Sequence, residues 1–311
     1  MKKVLNISRE RKSITLLDNI VYSRTYDDNN NKVELCLSLM LQHGNVEARL
    51  ANGIKPDEYK NGEKHPVILW IPGGGYRGKN KNLMVAEMTY LAERGYAVAF
   101  VHYRSSEIAH FPAQIIDVKT AIRFLRANKD IYNLDTTKIG IMGRSAGGHL
   151  AALAGMNNDD FISDELNEYS SKVDAVCNLF GPVDIPFLLN KEIKCINENP
   201  NYRWKKLEDT HPGVLLGGDV STMFERAEKA SPPYLVNENV CPMLIMHGKQ
   251  DRHVPIQVSD NLYNSLVEKG YENQTDYYVI ESADHGSDEF FSNQVKQIIL
   301  DFFDKLIKEN K

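Results

Sequence analysis

Lys138-Ile139-Gly140-Ile141-Met142-Gly143-Arg144-Ser145-Ala146-Gly147-Gly148-His149, continued by Leu150-Ala151-Ala152-Leu153-Ala154-Gly155, is the stretch whose reading decides the fold. An apolar run ends in Gly143-Arg144-Ser145-Ala146-Gly147 and passes into small, helix-compatible residues. The spacing predicts a strand, a sharp turn and a helix, with a serine at the apex of a G-x-S-x-G elbow. A serine on such a turn has strained backbone angles, and glycine at Gly143 and Gly147 removes Cβ atoms that would crowd strand and helix. The turn lifts the Ser145 hydroxyl clear and aims the amide of Ala146 and the helix N-terminus at one point, where an oxyanion could rest. Alone, the pentapeptide also fits a glycine-rich turn carrying an ordinary surface serine. The rest of the chain must decide.

Outward from the elbow, continuous apolar runs recur at 67–71, 97–101, 139–142, 175–180, 243–246 and 277–280. Such runs suit strands covered on both faces. Helical patterns fall between and after them at 83–94, 113–128, 147–156, 257–269 and 287–309. Strand and helix alternating in this way predict an α/β fold with a mostly parallel central sheet and helices on both faces. Residues 20–41 alternate around Asp27-Asp28-Asn29-Asn30-Asn31 and predict two antiparallel edge strands, with a polar connecting loop over 44–65. The segment 185–235 interrupts the alternation. It carries Pro200, Trp204, Pro212, Pro232, Pro233 and many charges, and reads as a cap-like insertion over the sheet edge. The 311 residues are expected to form a single domain.

Composition excludes several classes. The net charge is −5, without the basic footprint that nucleic acid requires. Cys36, Cys177, Cys195 and Cys241 show no CxxC spacing, so neither a zinc site nor a disulfide framework is expected. The N-terminal residues lack an apolar signal core, and no run is long enough to span a bilayer. The expectation is a cytoplasmic protein that binds neither membrane nor nucleic acid.

A serine nucleophile needs a base, and the base needs an acid to orient it. In an open α/β sheet these come from loops at the carboxyl ends of strands. After 243–246 comes His247-Gly248-Lys249-Gln250-Asp251-Arg252-His253-Val254-Pro255, and after 277–280 comes Glu281-Ser282-Ala283-Asp284-His285-Gly286. Asp251 and His285 complete the order Ser…Asp…His. Asp284 is a rival acid, but immediate sequence neighbours rarely present both groups to each other. His149 is expected to pack behind the elbow or bond the local backbone. His247 and His253 could be mistaken for metal ligands, but no further ligand cluster accompanies them. Ile71-Pro72-Gly73-Gly74-Gly75-Tyr76 lies where a second loop would lend backbone donors, and Gly74, Gly75 and Ala146 are the expected oxyanion amides. The same loop, extended through Gly78-Lys79-Asn80, nearly spells a phosphate-binding P-loop. Asn80 stands where magnesium would want a hydroxyl, and that reading leaves Ser145, Asp251 and His285 unexplained.

Together, Pro72-Gly73-Gly74-Gly75-Tyr76, Gly143-Arg144-Ser145-Ala146-Gly147-Gly148-His149, His247-Gly248-x-x-Asp251-x-x-Val254-Pro255 and Asp284-His285-Gly286 resemble the α/β-hydrolase superfamily. Within it, the chain is similar to bacterial carboxylesterases close to the hormone-sensitive-lipase-like and the acetyl-xylan and feruloyl esterases. Tyr103-Arg104, Phe111-Pro112-Ala113, Asp117 and 121–125 share the likeness, which covers about residues 65–300. It implies Ser145 as nucleophile, His285 as base, Asp251 as its partner, and no cofactor. Pro72 replaces the histidine of the HGGG loop, which leaves open which two glycine amides point inward. The expected substrate is a small ester with a short acyl group, on a sugar or of a small aromatic acid. Tyr76, Phe111, Phe187 and Trp204 are the expected pocket walls. An amidase, formamidase or peptidase on the same triad, a non-catalytic receptor of this fold, and a P-loop NTPase remain as alternatives.

Overall fold

The computed structural model describes residues 3–4, 13–42, 64–78, 80–218 and 220–308. Most of the connecting loop expected over 44–65, and Lys79 of the P-loop reading, lie outside them.

Among the described residues, eight strands form one sheet in the order β1-β2-β4-β3-β5-β6-β7-β8. They are β1 (Ile14–Tyr26), β2 (Lys32–Gln42), β3 (His65–Ile71), β4 (Ala97–Val101), β5 (Leu134–Arg144), β6 (Ala175–Leu179), β7 (Met243–Gly248) and β8 (Thr275–Ile280). β1 pairs antiparallel with β2, and β2 antiparallel with β4. Every pairing from β4 through β8 is parallel. The expected antiparallel edge pair and parallel body are both present.

The continuous apolar runs follow from covering on both faces. Leu69, Ile71, Ile141 and Ile245 pack on one side against α2 (Ala113–Ala127), α3 (Ala146–Ala154) and α7 (Gln257–Glu268). Ile68, Trp70, Met142 and Leu244 pack on the other against α1 (Thr89–Glu93) and α8 (Asn293–Phe303). Successive strand residues alternate between these two cores, so the buried strand positions are mostly apolar, with Ser38, Asn178 and His247 as polar exceptions. Each fully buried large aliphatic or aromatic residue contributes about 1.5–3 kcal/mol.

Two helices are shorter than their sequence patterns. In 83–94, Met84 takes a left-handed backbone (φ 75°), and only a 3₁₀ turn and the short α1 form after it. In 287–309, Ser292 is extended and caps α8, its hydroxyl accepting from the Val295 amide at 3.3 Å. Behind the edge pair, Arg104 after β4 makes a buried bidentate pair with Asp117 of α2, at 2.9 Å (Nε to Oδ2) and 2.7 Å (Nη2 to Oδ1). Its Nη1 donates to the Tyr26 carbonyl at 2.7 Å, which joins β1, β4 and α2.

Residues 185–235 are largely helical: α4 (Ile185–Glu198), α5 (His211–Leu216) and α6 (Val220–Lys229). Asp184 caps α4 by accepting from the Phe187 amide at 3.0 Å, and Thr210 caps α5 through the Gly213 amide at 3.2 Å. The segment leaves β6 and returns to β7, both interior strands. It therefore stands over the carboxyl ends of the central strands, where Ile185, Leu188, His211 and Pro212 wall a cavity, rather than over the sheet edge. Among the described residues no helix is long and apolar enough to cross a membrane.

Candidate active site

Ser145 sits between β5 and α3 with φ 51° and ψ −126°, a conformation sparsely populated by non-glycine residues. Its neighbours show why the elbow carries glycine. A Cβ on Gly143 would collide with the Gly147 carbonyl, and one on Gly147 with the Ile71 carbonyl. The turn holds because the Ser145 amide donates to the Leu179 carbonyl of β6 at 2.9 Å.

Loops after β7 and β8 bring Asp251 and His285 to the serine. The His285 Nδ1–H donates to Asp251 Oδ2 at 2.7 Å, which leaves Nε2 to accept from the Ser145 hydroxyl at 2.9 Å. The Asp251 side chain is fully buried. Burial pushes its carboxyl up, but hydrogen bonds from His247, His285 and the Val254 amide outweigh this and hold it well below the usual carboxylate range. Asp284, the rival acid, faces away from the imidazole ring. It accepts from Arg252 Nε at 2.6 Å and from the Arg252 amide at 3.0 Å, and so clasps the two loops together.

The histidines beside Asp251 have separate places. His247 is fully buried; its Nδ1 accepts from the Ser259 hydroxyl at 2.7 Å, and its Nε2–H is shared by the Val254 carbonyl at 3.0 Å and Asp251 at 3.3 Å. His253 lines the cavity with its ring centroid 5.4 Å from that of His285. His149 does more than bond local backbone. Its Nε2–H donates to the Ala230 carbonyl at the end of α6 at 2.5 Å, and its Nδ1 accepts from the buried Tyr76 hydroxyl at 2.9 Å. Burial pushes its imidazole down to about 4, partly offset by the Ala230 carbonyl, so the ring is neutral.

The glycine loop after β3 completes one wall. Gly74 (φ 139°), Gly75 (φ 63°) and Tyr76 (φ 61°) all take positive φ, which turns the loop towards the serine. Three clamps hold it: Tyr103 Oη donates to the Pro72 carbonyl at 3.0 Å, the Ser106 amide to the Tyr76 carbonyl at 2.8 Å, and Tyr76 Oη to His149. Gly74, Gly75, Ser145, Ala146 and His285 face one cavity of about 410 Å³, a size suited to a small molecule. Hydroxyl, imidazole and carboxylate in a hydrogen-bonded row can pass a proton from the serine to the ring while the carboxylate steadies the charge.

Of the expected walls, Tyr76 lines the cavity, with its hydroxyl engaged by His149. Phe111 does not; it packs against Phe161 with ring centroids 5.0 Å apart. Phe187 packs against the core beneath α4. Trp204 is not among the lining residues; Arg203 lies over its ring at 4.9 Å, and His211 meets it edge-on with ring centroids 6.0 Å apart. The sequence reading missed Arg144, Leu188, Glu192, Arg203 and His211, all of which face the cavity. The polar residues among them lie on the elbow or on 185–235, but no spacing rule says which of their faces turn inward.

The BD-FAE family model matches residues 55–266. Esterase LipC of Mycobacterium tuberculosis (strain ATCC 25618 / H37Rv) is 32% identical over 227 residues, covering 72% of this chain and 53% of LipC. The chain spans about half the length of the curated relatives it matches. Among solved structures, a truncated carbohydrate esterase from gut microbiota superposes with a TM-score of 0.70 at 28% identity, covering 96% of this chain and 98% of that one. A bifunctional GH43-CE protein of Bacteroides eggerthii gives a TM-score of 0.72 at 28% identity, covering 93% of this chain and 35% of that one. With its α/β-hydrolase sheet and a match over most of its length, the chain belongs to the BD-FAE family.

Proposed function

We propose that the protein is a serine carboxylesterase that removes short acyl groups from carbohydrate alcohols through an acyl-enzyme. One observation carries this reading: the row Ser145–His285–Asp251, spaced 2.9 and 2.7 Å, opening on a cavity walled by the glycine loop. The carbohydrate alcohol is supported by the kinship with a carbohydrate esterase, and the ester bond by the kinship with LipC.

His285 Nε2 takes the Ser145 proton as Oγ attacks the ester carbonyl. The imidazolium is held by Asp251, whose low pKa keeps it ionised. The amides of Ala146, Gly74 and Gly75 receive the oxyanion; losing one such donor would cost on the order of 10²–10³ in kcat. His285 returns the proton to the departing alcohol, and water then cleaves the acyl-enzyme with His285 again as base. Residues 185–235 act as a cap that bounds the acyl and alcohol halves.

Hydrolysis of p-nitrophenyl acetate, butyrate and octanoate by wild type and Ser145→Ala tests this. The expected result is turnover of the two shorter esters and loss of about 10⁴-fold or more in kcat in the variant. A wild type inactive on all three, or a variant as active as wild type, overturns the reading.

A further inference from the structure

Arg144, between Gly143 and Ser145, lines the cavity but has no part in the acyl-transfer steps. Its guanidinium lies over the rings of Phe180 (5.6 Å) and Phe291 (6.0 Å) and packs so closely on Gly286, next to His285, that a Cβ there would collide with it. Among the described residues no carboxylate pairs with it and no acceptor takes its N–H groups. That is unusual for this chain, which pairs Arg77 with Glu107, Arg104 with Asp117 and Arg252 with Asp284. Burial disfavours the charged form of Arg144, so the cation sits partly desolvated beside the nucleophile with its donors unused.

A second arginine borders the same cavity. Arg203, an exposed residue, stacks on Trp204 at 4.9 Å and, among the described residues, has no ion-pair partner. Glu192, the lining carboxylate, already accepts from the Tyr202 hydroxyl at 2.7 Å. His211 adds a buried Nδ1 with no partner. In a chain of net charge −5, a partly buried guanidinium and an exposed one, neither paired with a carboxylate among the described residues, thus border one small cavity. A planar fork of donors backed by aromatic rings is built to take a planar anion, and hydrogen bonds to it are about twice as strong as neutral ones.

We propose that Arg144 anchors a carboxylate of the substrate, so that the preferred esters are acidic, an acylated sugar acid being the carbohydrate form. This rests on the serine-esterase reading. The test compares kcat/KM within two matched pairs, corrected for spontaneous hydrolysis. 4-Acetoxybenzoate against its methyl ester places the carboxylate on the alcohol half; mono-4-nitrophenyl glutarate against 4-nitrophenyl valerate places it on the acyl half. Wild type, Arg144→Gln and Arg144→Lys are measured on both pairs.

In at least one pair, Arg144→Gln is expected to lower the acid-to-neutral ratio about ten- to hundredfold, mainly through KM, with Arg144→Lys retaining part of it. The pair that responds identifies the half bearing the acid. A ratio unchanged within about twofold in both pairs overturns the proposal. So does an equal loss on acid and neutral esters, which would mark Arg144 as a brace for the His285 loop. Should Ser145→Ala match wild type on the neutral esters, the serine-esterase reading itself fails and takes this proposal with it.

Discussion

Lowering the pH should destabilise this protein through one buried ring, that of His149. The ring is fully buried, accepts from Tyr76 and donates to Ala230, so the folded state has no room for a second proton. Its pKa falls from the ordinary 6.5 to about 4. Between these values the unfolded chain binds a proton that the folded chain refuses, so stability rises with pH across the window. The contribution is whole above pH 6.5, is lost as the pH falls towards 4, and changes no further below that. At about 1.4 kcal/mol per pH unit, the full loss is about 3 kcal/mol, a large fraction of a typical net stability. Urea unfolding of wild type and His149→Gln at intervals from pH 7 to pH 4 isolates the effect. Glutamine removes the titration, so its offset at pH 7 is immaterial and only the difference in slope counts. Wild type should lose about 3 kcal/mol more than the variant across the range. Parallel pH profiles would refute the reasoning, since another group would then carry the acid sensitivity.

Three further substitutions follow from the same structure. Asp251→Asn replaces the carboxylate that orients His285 and steadies its charge with a neutral amide, and should lower kcat on p-nitrophenyl acetate by roughly 10³–10⁴-fold; Asp284→Asn, which weakens the Arg252 clasp and the bond from the His285 amide but leaves the Asp251–His285 bond in place, should change it less than about tenfold. The reverse ranking would reassign the acid. Arg104→Met leaves the Asp117 carboxylate buried without its partner and should cost about 3–5 kcal/mol in urea unfolding at pH 7, with a smaller penalty at pH 5 as the carboxyl protonates.

Much of the fold was legible because the parallel strands are buried on both sides, which writes them as unbroken apolar runs such as 67–71 and 243–246. Ser145, Asp251 and His285 were legible because each follows a strand and their chain order is the one the fold requires. What stayed hidden depends on backbone turns and on packing between distant segments. Nothing local in 83–94 announces the left-handed Met84 that shortens α1. Phe111 and Trp204 are aromatic residues in loops near the site, yet Phe161 claims the first, while Arg203 and His211 both contact the second. His247 left a trace, since it stands four residues before Asp251, but the turn that brings its ring under the carboxylate appears only in three dimensions.

The hydrogen-bonded row spans the chain widely: 140 residues separate Ser145 from His285, and 34 separate Asp251 from His285. No fragment containing only one of the loops holds a working set, and β5, β7 and β8 must all be laid into the sheet before the three side chains meet. Under the proposed esterase function, regained turnover is therefore a late and stringent signal of refolding. Helical circular dichroism, which needs mainly local contacts, should recover before it. An esterase stain that distinguishes wild type from Ser145→Ala would then double as a reporter of the fully assembled sheet, useful for screening chaperones, additives or stabilising variants without purifying the protein.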